Sequence, residues 1–70
     1  MKKQVWLVVA QSGIHYGNCV LGVGASKADA IKDANGGGPL MRGQYAVKMD
    51  AQEAASQYSD FEDEILSKAV

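Results

Sequence analysis

The sequence predicts a small α+β domain of order β-β-α-β-α, a three-stranded antiparallel sheet (order 2-1-3) with its helices packed on one face. Three observations carry that expectation. Gln4–Ala10 is apolar on both parities, Gln44–Met49 alternates, and Ser26 and Asp50 stand as caps ahead of helical spacings.

In the first segment Val5, Leu7 and Val9 share one side, and Trp6, Val8 and Ala10 the other, with no Gly or Pro between them. Strands that read this way are central ones. Ser12-Gly13 reads as a turn into a second strand within residues 14–23, surest over Cys19–Val23. Gly17 leaves open whether pairing begins at Ile14 or only after a longer loop.

Ser26 caps a short helix in which Ala28, Ile31 and Ala34 face the sheet while Lys27, Asp29, Lys32 and Asp33 face water. Asn35-Gly36 supplies its left-handed end. At about nine residues such a helix holds only when docked. Gly36-Gly37-Gly38-Pro39 is a linker, and Gln44–Met49 a half-buried strand with Tyr45, Val47 and Met49 inward. Asp50 and Glu53 form a second capping box. Beyond it Ala51, Ala54, Ala55, Tyr58, Phe61, Ile65, Leu66 and Ala69 keep helical spacing, and Ser59-Asp60 leaves one long helix or two abutting ones open. The crossover helix returns the chain so that the third strand lies beside the first.

Seventy residues make a single domain, residues 1–70. With 47% hydrophobic and 21% charged residues and a net charge of −1, the chain is not of the disordered class. Nor has it any overall pull toward nucleic acid or a membrane. Cys19 is the only cysteine, which forbids an internal disulfide and fits a reducing, cytoplasmic compartment. With His15 it offers two of the four ligands a structural zinc needs. The opening Lys2-Lys3 and the apolar run from Val5 to Ala10 mimic a leader, but six residues fall short of an h-region. Lacking a disulfide or a metal, so small a chain is expected to gain stability from packing or from a homodimer.

Candidate sites fall in four places. Gly22-Val23-Gly24-Ala25-Ser26-Lys27 follows a strand and opens a helix, as a phosphate loop does, but Lys27 stands where a third glycine belongs. His15 and Cys19 would lie about 13 Å apart on an unbroken strand, beyond a nucleophile pair's reach. No catalytic, cofactor or metal site is therefore expected, and the chain reads as a non-enzyme.

The other two places are surfaces. From Asp50 onward six carboxylates (Asp50, Glu53, Asp60, Glu62, Asp63, Glu64) face one cation, Lys68. Before it six cations (Lys2, Lys3, Lys27, Lys32, Arg42, Lys48) face Asp29 and Asp33. Such asymmetry suits an acidic helix aimed at a basic partner. Trp6, Val8, Val20 and Ala46 are expected on an uncovered sheet face, with Tyr16 at its rim, as an apolar docking patch. The leading expectation is thus a protein-interaction module or small inhibitor, binding a protein partner or its own copy through Trp6, Val8, Tyr16, Val20, Asp60, Glu62, Asp63 and Glu64. The alternative is a small nucleic-acid-binding domain that uses the basic N-terminal part and sheet aromatics. In style the layout is similar to phage-encoded inhibitors and accessory proteins, a likeness carried by no motif.

Overall fold

A computed structural model describes residues 2–11 and 18–70. Its elements are β1 (Gln4–Gln11), β2 (Asn18–Gly24), α1 (Lys27–Asn35), β3 (Gln44–Asp50), α2 (Ala51–Gln57), a 3₁₀ turn (Ser59–Phe61) and α3 (Glu62–Lys68). The sheet is antiparallel with β1 between β2 and β3, as the sequence predicts. Pairing of β1 with β2 reaches Gln11 opposite Asn18, so the expected turn at Ser12-Gly13 lies outside the described residues, as do His15 and Tyr16.

The caps form where the side chains dictate. Ser26 Oγ accepts the Asp29 amide at 3.1 Å, and Asp50 Oδ2 accepts that of Glu53 at 3.1 Å. Each satisfies one of the amides a helix start leaves without a partner. Gly36, at φ 64°, closes α1 by donating its N–H to the Lys32 carbonyl at 2.8 Å. Of the two C-terminal alternatives the structure has the second: the helix breaks at Tyr58 and restarts through the 3₁₀ turn.

The helices do not share one face of the sheet. Val5, Leu7 and Val9, with Val20 and Val23, meet Ala51, Ala54, Ala55, Ile65 and Ala69 in the main core, rimmed by Val47, Met49, Tyr58 and Phe61. That is the face of α2 and α3. On the other, Trp6 and Val8 pair with Gly24 and Gly22, whose missing side chains point straight at α1. A Cβ on Gly22 would sit 2.5 Å from the Ala30 carbonyl oxygen and 2.6 Å from the Ala34 amide nitrogen. The two glycines let the helix backbone press onto the strand, and Val8 and Ala30 are wholly enclosed there. The sheet is therefore sandwiched, which accounts for the apolar character of β1 on both parities.

This arrangement corrects three expectations. The patch foreseen on an open face is covered by α1, because the crossover helix uses the face that the C-terminal helices leave vacant. Ala30 is buried on α1 where Ala28 and Ile31 were expected to be, since seating follows the glycine groove rather than the bulkiest side chains. Val20 points into the main core beside Val9, not alongside Val8. A bulge between Val8 and Val9 makes Leu21 the extra residue, and the strand's alternation flips at that point.

Candidate functional site

Of the residues singled out as a docking patch, the structure brings none together on an exposed face. Val8 is completely buried under α1 and Val20 lies in the opposite core, so neither can meet a partner. Trp6 is half-buried on the α1 face, opposite Gly24 on one side and Lys48 on the other. Ala46 is half-buried at the sheet's edge, and Tyr16 lies outside the described residues. Tyr45, expected inside, is 54% exposed because it falls at the end of β3 nearest the β1–β2 connection, away from α2.

The acidic residues fare differently. Asp60 sits in the 3₁₀ turn and Glu62 and Asp63 in the first turn of α3, all exposed. Among the described residues none of the three enters an ion pair. They cluster where a helix N-terminus favours negative charge, so the fold tolerates their mutual repulsion. Glu64 is set apart: its carboxylate accepts from Lys68 Nζ at 2.9 Å, one helical turn on.

Lys68 in turn organises a groove between α1 and α3 along the outer edge of β2. The hollow is about 660 Å³, with Val23, Asp29, Lys32, Asp33 and Lys68 in its walls. Asp33 is exposed, as the sequence predicts, but the cluster it joins was not among the expected sites. The Val23 amide donates to Asp33 Oδ2 at 3.0 Å, and Lys68 Nζ donates to the Val23 carbonyl at 3.1 Å while standing 3.5 Å from Asp33. In an antiparallel sheet these two backbone groups would otherwise be left bare on an edge strand. The Val23 N–H and then the Lys68 charge hold the Asp33 carboxyl below its ordinary range, outweighing partial burial. Hydrogen bonding to Glu64, seconded by both carboxylate charges, raises the Lys68 ammonium above its own. Asp33 thus stays ionised and Lys68 protonated around neutrality, so neither is poised to exchange a proton there. The only sequence hint was the Glu64–Lys68 spacing of four.

The glycines of the phosphate-loop candidate are accounted for by packing, since a Cβ at either would collide with α1. The His15–Cys19 pair lies outside the described side chains. Among the described residues no group of three or more His, Cys, Asp or Glu is placed to hold a metal ion, and no helix is long and apolar enough to cross a membrane. No family model, curated protein or solved structure matches this chain.

Proposed function

We propose that the chain is a protein-interaction module that presents Asp60, Glu62 and Asp63 to a basic partner surface. The observation that carries this reading is that the three carboxylates stand together, exposed and outside any ion pair among the described residues, at the junction of the 3₁₀ turn and α3. Glu64 belongs to the groove cluster and leaves the docking set. Carboxylates presented in this way steer association and set specificity through long-range attraction, so their effect is strongest at low salt.

The nucleic-acid alternative is less well supported. RNA-binding sheets stack bases on aromatic side chains of an open face. Here both faces carry helices, and the cations are dispersed over the N-terminus, α1, the Arg42 loop and β3.

The test uses wild type and an Asp60→Asn/Glu62→Gln/Asp63→Asn variant as immobilised baits, with the affinity of each retained protein measured at several salt concentrations. The reading expects a partner with a Lys/Arg-rich contact surface whose affinity falls at least tenfold on neutralisation and loses most of its salt dependence. A partner bound equally well by both baits refutes it. A gel shift of single-stranded RNA at low salt with micromolar protein would favour the alternative.

A further inference from the structure

We propose that the outer edge of β3 is a self-association surface on which a second copy of this chain pairs antiparallel, about a two-fold axis at Val47. The edges of this sheet are treated unequally. The exposed backbone of β2 is closed at Val23 by Asp33 and Lys68. Past the end of β2, Val70 closes β1 by exchanging hydrogen bonds with Gln4 at 2.8 and 2.9 Å. Edge strands left open are templates for a further strand, and folds commonly block them. On β3 the described residues supply no such closure at Ala46 or Lys48.

The phase of the ladder shows which groups are open. The Ala51 amide donates to the Lys3 carbonyl at 2.9 Å, and Gln4 lies opposite Asp50. Odd-numbered residues of β3 therefore bond inward to β1, while Gln44, Ala46, Lys48 and Asp50 turn their N–H and C=O outward. The Gln44 amide is taken by the Met41 carbonyl at 3.0 Å. At Ala46 and Lys48 no hydrogen bond reaches the outward backbone groups from any described residue. Consistent with an uncovered edge, no residue of β3 is fully buried, although helices lie on both faces of the sheet.

The strand is complementary to itself in one register. An axis at Val47 sets Ala46 against Lys48 of the second copy twice over, which aligns the open N–H and C=O groups of these two residues as donor and acceptor pairs. Lysine then faces alanine. An axis at Lys48 would oppose two ammonium groups, and one at Ala46 would need the Gln44 amide already committed to Met41. With the Val47 axis, exposed Tyr45 meets Met49 of the second copy, a contact that aromatic rings and thioethers favour. The acidic α3 packs over β2, on the far side of the sheet from this edge, so it does not oppose its own copy.

Sedimentation equilibrium from micromolar to millimolar protein tests the proposal on wild type, Ala46→Glu, Ala46→Lys and Lys48→Pro. The wild type is expected to pass from monomer to dimer across that range. Glutamate at 46 faces Lys48 twice in the dimer and should tighten it about fivefold, whereas lysine there should weaken it by a similar factor. Proline at 48 removes only an outward-facing N–H, so the monomer should fold and the dimer be lost. If that variant fails to fold, the Ala46 pair decides, because a general perturbation cannot move the dissociation constant in opposite directions. A wild type monomeric at every concentration, or Ala46 variants that shift together or not at all, overturns the proposal.

Discussion

Replacing Gly22 with alanine should carry one of the two largest steric costs of any glycine-to-alanine change among the described residues, alongside Gly24. The added Cβ would meet the Ala30 carbonyl oxygen at 2.5 Å, the Ala34 amide nitrogen at 2.6 Å and the Ala34 Cβ at 2.8 Å. Ordinary contact begins near 3.4 Å, so α1 must retreat by roughly 1 Å from the strand. Two of those three atoms are helix backbone, which cannot swing aside as a side chain would. Overpacking typically costs about 1–3 kcal/mol, and this site belongs at the upper end. A 70-residue domain has roughly 4–10 kcal/mol to lose, so about a third or more of the stability should go. Urea unfolding followed by circular dichroism reads this as a fall in midpoint at unchanged slope. Gly38→Ala is the control, since its Cβ would meet nothing closer than 3.6 Å. If the two variants unfold within about 0.5 kcal/mol of each other, α1 is not seated on the Gly22 face and the sandwich is wrong.

The Asp33 carboxyl, held low by the Val23 amide and Lys68, contributes stability that is present above its unfolded pKa near 4 and is lost as pH falls through its lower folded value. Asp33→Asn should therefore cost about 1 kcal/mol at pH 7, discounted for partial exposure, with the difference from wild type closing toward pH 2 in acid-unfolding curves. Lys68 has the opposite sign: its pKa is raised, so its contribution persists at neutrality and is lost only as pH climbs through the folded value above 10.5, a loss that Lys68→Met should not show. Ile65→Ala empties the largest fully buried position of α3 and should cost about 2–5 kcal/mol, lowering the calorimetric melting temperature by roughly 10–40 °C. Neutralising Asp60, Glu62 and Asp63 together should leave the urea midpoint unchanged or slightly raised, because no ion pair among the described residues is lost.

Local signals were legible in the sequence because each is written in a few adjacent residues. The caps at Ser26 and Asp50, the left-handed Gly36 and the alternation of β3 all act over one turn or one strand. Strand order was legible too, since β1 is the only segment apolar on both sides. What escaped was the consequence of that same observation: a strand apolar on both sides implies two covered faces, and Gly22-x-Gly24 marks where the second cover sits. The bulge at Leu21 shows no local signature, yet it decides on which side Val20 falls. The Asp33–Val23–Lys68 cluster joins residues separated by 10 and 45 positions, and no periodicity within one element reports such a meeting. The acidic stretch was visible by counting, but only the structure separates Glu64, which is spent on Lys68, from its three neighbours.

With helices on both sheet faces, the proposed contacts with other molecules lie at the acidic junction and at the outer edge of β3. Amide hydrogen exchange, resolved by residue and repeated at low and high protein concentration, tests that division most directly. The account predicts slow exchange at Val8 and Val23 at all concentrations, the latter through Asp33. It predicts fast exchange at Ala46 and Lys48 in dilute solution that slows as concentration rises. Fast exchange at Val23, or protection at Ala46 and Lys48 independent of concentration, would contradict it.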